Sequence, residues 1–272
     1  MHFWLTVAIS FLSFACVAQN GGNNVFSFLE IPLTAKSSAV GGDLINNKGE
    51  IEAISDNPSL LDSTLHNDLL FSYVNYIGDI NLGYVAYAYQ YKDKGTFAAS
   101  IANVNYGDFV QTNDFGDELG AFKVADYQFN LSFSKSLNDY FSVGTTLKNI
   151  YSAMEIYRAY GIGMDIGASY QSKNKSVAAG AVISNIGSQI IGYTSKRESF
   201  PFELKAGISK KLGHAPFRFS LFANNLQKWD LTLPNGSDSL NRIFTFDKLM
   251  RHIVLSAEIV PSDNFFITVA YD

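Results

Sequence analysis

The strongest constraint on how this chain can fold is a strict two-residue alternation of apolar and polar side chains. In the stretch ADYQFNLSFSK, residues 125–135, apolar side chains alternate with polar ones: Tyr127, Phe129, Leu131 and Phe133 against Asp126, Gln128, Asn130, Ser132 and Ser134. Because successive side chains of a β-strand point to opposite faces of a sheet, this stretch has one apolar and one polar face. The pattern recurs in GIGMDIGASYQ, PFELKAGIS and NFFITVAYD. The chain is therefore predicted to be all-β.

The predicted strands are long. Eleven segments have strand character, at 68–77, 80–91, 96–104, 123–135, 140–151, 160–171, 176–185, 201–210, 216–226, 251–260 and 264–272. Strands of soluble proteins cluster at about 5–6 residues, whereas a tilted strand that crosses a membrane needs about 9–11. Segment length therefore favours an antiparallel β-barrel of the outer membrane.

Composition separates this barrel from a soluble β-sandwich, which is the alternative fold. Charged residues make up 17% of the 272 residues, against about 25% in typical soluble domains. The polar faces carry mostly small uncharged residues, and tyrosines near the segment ends fit the aromatic girdles of membrane barrels. The net charge of -5 leaves no basic stripe that could bind nucleic acid.

An apolar run at the N-terminus, Phe3 to Ala18, has the length and position of a secretory signal peptide, although no Lys or Arg precedes it. We expect residues 1–18 to direct export of the protein and then to be cleaved. Cys16 allows a lipoprotein as the alternative, but Phe14 is bulky for a lipobox. After cleavage at Ala18 the mature chain has no cysteine, which excludes disulfides, thiolate nucleophiles and cysteine-based zinc sites.

No catalytic constellation is recognised. Ser132 and Lys135 match the S-x-x-K spacing of penicillin-binding enzymes, but on a strand these two positions point to opposite faces. The histidines are scattered at His2, His66, His214 and His252. An acidic loop with Asp114, Asp117 and Glu118 lacks the spacing of a calcium loop and is interpreted as solvated. We therefore expect no enzyme, no cofactor and no metal site.

The region before the strands carries a more specific motif. GGNNVFSFLEIPLTAKSSAVGG, residues 21–42, resembles the opening of the PorQ family of the type IX secretion system. DNPSLL, residues 56–61, resembles the Asn-Pro motif of the wider FadL-like and PorV-like barrels, with Ser59 where Ala is commoner. The positions that carry the resemblance include Phe28, Leu29, Pro32, Ala35, Gly41, Gly42, Asn57 and Pro58.

The resemblance implies a FadL-like barrel of roughly fourteen strands, and bacterial single-chain barrels have an even number. Residues 19–66 would form a hatch inside the barrel and 67–272 the barrel wall, with C-terminal strands missing from the eleven-segment pattern. A periplasmic extension is the alternative for 19–66. Irregular backbone at membrane depth is tolerated only inside a barrel or cavity. Turn-forming glycines and prolines in this region agree with a hatch.

The resemblance also implies a function in the Gram-negative outer membrane. It places the chain beside PorU, PorV and PorZ-like proteins, as a non-enzymatic scaffold of the complex that attaches secreted cargo to surface lipopolysaccharide. The alternative is a FadL-like transporter of hydrophobic small molecules, which would need a continuous apolar path inside. The polar face with Asp126, Gln128, Asn130, Asp165 and Gln171 argues against such a path, whereas segment 80–91 is apolar on both faces.

Two long loops, 106–122 and 226–250, are expected on the outer side of the membrane. The second mixes apolar side chains with polar neighbours, a composition suited to an aromatic anchor with a polar rim. Its candidate partner-binding residues are Trp229, Leu231, Leu233, Ile243 and Phe244.

Overall fold

The computed structural model describes residues 24–41, 44–46, 48–231, 245–262 and 265–271. The predicted signal peptide lies outside these residues, as does Gly42 of the N-terminal motif.

Within the described ranges, eleven strands form one antiparallel sheet, and each strand pairs with the next one along the chain. They are β1 (Leu69–Asn75), β2 (Asn81–Tyr91), β3 (Gly95–Thr112), β4 (Glu118–Ser136), β5 (Phe141–Met154), β6 (Tyr157–Gln171), β7 (Val177–Ile191), β8 (Glu203–Lys211), β9 (Phe217–Ala223), β10 (Ile253–Ser262) and β11 (Phe265–Tyr271). The all-β antiparallel class is confirmed, and each predicted segment overlaps one of these strands, several of which run beyond the predicted bounds. The roughly fourteen strands implied by the resemblance stay a prediction.

The helices are short and lie in connections or before the sheet. They are α1 (Ala35–Ala39), α2 (Thr245–Met250) and the 3₁₀ helices Ser27–Glu30, Ile51–Ser55, Pro58–Leu60, Ser63–Leu65, Ile77–Asp79 and Lys92–Lys94. Thr34 caps α1 by accepting a hydrogen bond from the Ser37 N–H at 3.1 Å. In the parts of the chain that the structure describes, no helix is long and apolar enough to cross a membrane.

The side-chain alternation sorts the two faces of the sheet as the sequence predicts. Leu131 in β4 is 61% exposed on the outer face, whereas its neighbour Asn130 is 5% exposed on the inner face. Asn130 donates to Ser100 Oγ at 3.2 Å and accepts from Gln128 Nε2 at 2.9 Å. Polar groups are therefore paired inside while large apolar side chains are exposed outside. This inside-out arrangement is that of a transmembrane β-barrel, because only lipid stabilises so extensive an apolar outer face.

The β2 strand, whose orientation the sequence left open, turns its even-numbered side chains inward. Leu82, Tyr84, Ala86 and Ala88 are buried, whereas Tyr87 and the other odd-numbered aromatic residues are exposed. The inner wall of β2 is therefore apolar, unlike that of β4.

The sheet curls around the residues that precede it. Laid flat, eleven strands would be about 48 Å wide. The Ile51–Ser55 helix nevertheless contacts β1, and α1 contacts β11. The two edge strands can touch the same short segment only if the sheet bends toward it. Residues 24–66 are called the N-terminal segment below.

The connections divide between two ends of the sheet. The short-turn end carries 92–94, 137–140, 172–176 and 212–216, whereas the long-loop end carries 76–80, 113–117, 155–156, 192–202 and 224–252. Membrane barrels place short turns in the periplasm and long loops outside. The chain enters β1 at the short-turn end, which agrees with entry from the periplasm.

The prediction of a long loop at 106–122 is wrong. Strands β3 and β4 continue past the other strands and leave only 113–117 as a turn. Phe109 pairs with Phe122 across this extension, and their stacked rings lie 5.5 Å apart. Cross-strand aromatic pairs of this kind stabilise a hairpin. The second long connection spans 224–252 and contains α2.

Because Leu131 is assigned to the lipid-facing side of β4, a charge placed there should destabilise the protein by an amount that depends on its depth in the membrane. Leu131 lies five residues from the end of β4, or about 13 Å along the membrane normal. Leu131→Arg should therefore lower the free energy of unfolding by about 2–4 kcal/mol, measured by urea titration in lipid vesicles. Leu137→Arg is the matched control, because Leu137 is 60% exposed but lies in the turn at 137–140. The control should cost about 1 kcal/mol or less, and equal costs would contradict the membrane depth of Leu131.

Candidate functional site

The N-terminal segment covers the apolar part of the inner wall. Phe26 and Phe28 are buried in one apolar cluster with inward side chains of β2 and β3. Phe26 also packs edge-on against Phe200, with ring centroids 5.6 Å apart. The 192–202 connection contributes Phe200 to this cluster, and the strands of the wall contribute Leu82, Tyr84, Ala86, Ala102, Val104, Ile150 and Ala159. The apolar wall that a hydrophobic ligand would need is therefore occupied by the chain itself.

A second apolar cluster holds the middle of the segment against other strands of the same inner wall. Val40, Leu44, Ile45, Ala53 and Leu60 pack on Val182 of β7, Phe222 of β9 and Val254 of β10. Gly41 adopts a φ of +95°, and a Cβ there would lie 2.3 Å from Val254 Cγ1. This motif glycine is thus required both by its backbone conformation and by its closeness to the wall.

The Asn-Pro motif forms a hydrogen-bonded turn. Asn57 Nδ2 donates to the Ile45 carbonyl at 2.7 Å. Asn57 Oδ1 accepts from the Ser59 N–H at 3.0 Å and from Ser59 Oγ at 2.7 Å. Ser169 Oγ of β6 then donates to the Ser59 carbonyl at 3.2 Å. The side chain of Asn57 therefore joins two parts of the segment, and the turn is held to the wall.

Glycines in the wall let this turn approach closely. A Cβ on Gly144 would lie 2.5 Å from the Pro58 carbonyl carbon, and one on Gly167 would lie 2.0 Å from Asn57 Oδ1. A Cβ on Gly180 would lie 2.1 Å from the Ile45 carbonyl oxygen. These positions on β5, β6 and β7 must lack a side chain for the segment to lie where it does.

A buried ion pair joins the neighbouring strands β5 and β6 on the polar part of the inner wall. Lys148 Nζ lies 2.7 Å from Asp165 Oδ2, and their side chains are 6% and 3% exposed. Asn185 completes the network, because its Oδ1 accepts from Lys148 Nζ at 2.8 Å and its N–H donates to Asp165 Oδ1 at 2.8 Å. Sequence analysis missed Lys148 and Asn185. The available signal was that Lys148 shares the inward parity of its β5 neighbours.

A small polar cavity remains between the segment and the wall. Its volume is about 30 Å³, room for about two waters. The lining includes Asp56, Gln128, Lys148, Asn185 and Lys205. Drug-sized ligands occupy pockets of about 300–1,000 Å³. In this arrangement the cavity is far too small for such a ligand.

The Asp56 carboxylate organises the segment from inside. It accepts hydrogen bonds from Ser37 Oγ at 2.8 Å and from the Leu44 N–H at 2.9 Å. Loss of water around Asp56 raises the pKa of its carboxyl, and the Leu44 hydrogen bond partly opposes this effect.

The remaining motif residues are distributed unevenly. Phe28, Asn57 and Pro58 are buried, Leu29 and Pro32 are partly buried, and Ala35 is exposed. The buried residues lie against the wall, so they form the part of the motif that contacts the sheet.

The candidate partner surface lies at the long-loop end. Trp229 is 58% exposed and stacks against the His252 ring, with centroids 6.1 Å apart. Lys248 pairs with Asp230 beside it. Leu231 is partly buried, whereas Leu233, Ile243 and Phe244 lie outside the described residues. Trp229 is thus an exposed aromatic side chain held in place by its neighbours.

The groups considered for chemistry are not assembled into a site. Ser132 is buried in the lumen, where its Oγ forms a hydrogen bond with Thr146 Oγ1 at 2.7 Å, whereas Lys135 is exposed on the outer face. Across the residues with described coordinates, no three His, Cys, Asp or Glu side chains cluster as metal ligands.

Comparison with known proteins finds similarity among solved structures. No family model matches the sequence, and no curated protein matches it. Among solved structures, the chain is similar to the crystal structure of the Ralstonia pickettii toluene transporter TbuX, at 15% sequence identity and a TM-score of 0.47. The similarity covers 91% of this chain and 79% of that chain. Likeness at this level carries no argument about what the lumen binds.

The glycine contacts predict that a single methyl group displaces the N-terminal segment. Gly144→Ala should weaken its packing by about 1–3 kcal/mol, because the added Cβ meets backbone atoms. Limited proteolysis of the protein in detergent should then cut residues 24–66 faster. Gly83→Ala is the control, since no atom lies within 4 Å of a Cβ at Gly83. Wild-type protection in the Gly144→Ala variant would refute the close contact.

The raised pKa of Asp56 predicts that the packing of the N-terminal segment on the wall depends on pH. Because an unfolded aspartate has a pKa of about 3.9, the stability contributed by Asp56 is complete below that pH. It is lost as the pH rises through the higher pKa of the folded state. Asp56→Asn should flatten the pH profile of protease protection, whereas Asp62→Asn in the same segment should retain it. A profile unchanged by Asp56→Asn would exclude Asp56 as the titrating group.

Proposed function

We propose that this chain is an outer-membrane β-barrel that acts without turnover, as a scaffold for other proteins of the cell envelope. The observation that carries the proposal is the covered lumen. Phe26, Phe28 and Leu33 occupy the apolar wall, and the adjoining cavity holds about 30 Å³. A barrel filled by its own N-terminal segment offers its outer loops to partners rather than a path to a solute.

The N-terminal segment is, in this proposal, a hatch. Its turn at Asn57 and Pro58 packs on wall glycines, and its two apolar clusters contact different strands of the inner face, β2 to β6 in one case and β7 to β10 in the other. Burial on this scale supports a part that stays in place rather than a free periplasmic extension.

The PorQ-like motif supports a more specific form of the proposal. The chain would belong to the type IX secretion attachment complex, with PorU, PorV and PorZ-like proteins and lipopolysaccharide as its partners. Deleting the chain in its native host should then weaken display of secreted cargo on the cell surface. Uptake of hydrophobic nutrients should stay unchanged.

A FadL-like transporter of hydrophobic small molecules is the second candidate, and one observation favours it. The inner wall of β2 and β3 is apolar at Leu82, Ala86 and Val104, in the region that includes segment 80–91, whose orientation the sequence left open. If the N-terminal segment moved aside, this wall would become available to a hydrophobic ligand. The two functions therefore differ in whether the segment has to move.

A reversible disulfide distinguishes them. A Cβ at position 167 would lie 3.1 Å from Asn57 Cγ, about the separation of a sulfur from its partner's Cβ across a disulfide. The variant carries Asn57→Cys and Gly167→Cys, with Cys16→Ser to remove the one native cysteine. A scaffold should display cargo equally in the oxidised and reduced states. Uptake that falls on oxidation and returns on reduction, with display unaffected by deletion, would establish the transporter instead.

The partner surface has its own test. Trp229→Ala should reduce recovery of the partner from intact outer membranes, because exposed aromatic anchors often contribute about 2 kcal/mol or more to an interface. Phe115→Ala is the matched control, since Phe115 is 91% exposed in the turn at 113–117 of the same end. Equal recovery from Trp229→Ala and wild type would rule out Trp229 as the anchor.

A further inference from the structure

A second cavity, distinct from the one in mid-lumen, opens at the short-turn end of the barrel. Its volume is about 40 Å³, room for about three waters or one compact oxyanion. Its polar lining comprises Asn46, Lys48, Glu50, Gln171, Lys175, Ser176, Ser209, Lys211 and Arg218. Four cationic side chains thus face one carboxylate.

The positive charge of this cavity is only partly compensated. Arg218 pairs with Glu258 at 2.8 Å and lies 3.9 Å from Glu50. Lys48 Nζ donates to neutral hydroxyls instead, to Ser142 Oγ at 2.9 Å and Ser136 Oγ at 3.4 Å. Lys175 and Lys211 form no ion pair with any carboxylate that the structure describes. A water-filled pocket with this excess of cations attracts anions.

Asn46 supplies independent evidence that something polar belongs in the cavity. Its residue is 2% exposed, yet neither its Nδ2 nor its Oδ1 has a hydrogen-bond partner in the described protein. Buried amides are nearly always paired, so an unpaired one in a polar cavity indicates a missing partner. The preceding residue is fixed, because the Ile45 carbonyl accepts from Asn57 and lies against Gly180. The peptide group that leads into Asn46 is therefore held in place at its carbonyl.

We propose that this cavity binds a small oxyanion of the phosphate class that enters from the periplasm. Asn46 Nδ2 donates to one oxygen of the anion, while Lys175 and Lys211 balance its charge. Ser209 and Arg218 belong to the inward faces of β8 and β9, so the cavity opens into the lumen rather than toward lipid. The occupant is accordingly a dissolved anion and not the headgroup of a membrane lipid. The inference does not depend on whether the barrel is a scaffold or a transporter.

Titration calorimetry with inorganic phosphate tests the site on the full chain, refolded in a non-ionic detergent that contains no phosphate. We expect saturable binding of one phosphate per chain. Lys211→Gln and Asn46→Leu should each weaken it by at least about tenfold, the usual effect of losing a charged or buried donor. Gel mobility before and after heating checks that each variant is folded, and Lys211→Gln preserves the test if Asn46→Leu does not fold.

Lys173→Gln is the matched control, because Lys173 is exposed in the same turn as Lys175 but does not line the cavity. Its phosphate affinity should equal that of the wild type. Absence of binding at millimolar phosphate, or equal losses in the Lys173 and Lys211 variants, would overturn the site, since diffuse attraction to the rim explains the second result.

A comparison of bilayers distinguishes the source of the phosphate group. In vesicles of phosphatidylcholine alone and of phosphatidylcholine with phosphatidylglycerol, the dissociation constant for free phosphate should be the same. Competition by phosphatidylglycerol, seen as weaker phosphate binding that the Lys211→Gln variant does not show, would assign the cavity to a lipid headgroup and refute the dissolved anion.

Discussion

The close approach of the Asn57–Ser59 turn to the inner wall is the contact on which the rest of the interior depends. With a Cβ at Gly144 or Gly167, the Pro58 backbone and the Asn57 amide could not lie where they do. Asn57 in turn holds the Ile45 carbonyl, which lies against Gly180. Because the backbone of the segment packs directly on the backbone of the wall, no side chain fits between them. The segment can therefore lie against the wall in only one position.

Around that contact the lumen is divided by chemistry. The wall of β2 and β3 is apolar and is covered by Phe26 and Phe28, whereas the wall of β5 and β6 carries the Lys148–Asp165 pair. Burying two charges is costly unless their remaining hydrogen-bonding positions are filled, and Asn185 fills one such position on each group. A pair of this kind adds little net stability, but it disfavours any register of the strands that separates its members.

The N-terminal segment covers the apolar inner wall and leaves features at the two ends of the barrel exposed. An apolar wall exposed to a lumen would suit a hydrophobic solute, but here the N-terminal segment lies on it. The exposed features are instead at the two ends: Trp229 among the long loops and the basic cavity around Asn46 among the short turns. Because the ends face different compartments in a membrane barrel, they are available to different partners.

The sequence by itself determined the strand segments and the two faces of most strands, because successive side chains of a strand point to opposite faces of the sheet. It also identified Asn57, Pro58 and Gly41 through a motif, but not what they touch. Only the tertiary structure decided that β3 and β4 continue through 106–122 on either side of a turn at 113–117, that β2 turns Leu82 inward, and that Lys148 meets Asp165 and Asn185. These outcomes depend on pairing between strands and on contacts with the N-terminal segment. Such contacts join residues far apart in the chain, and no local pattern encodes them.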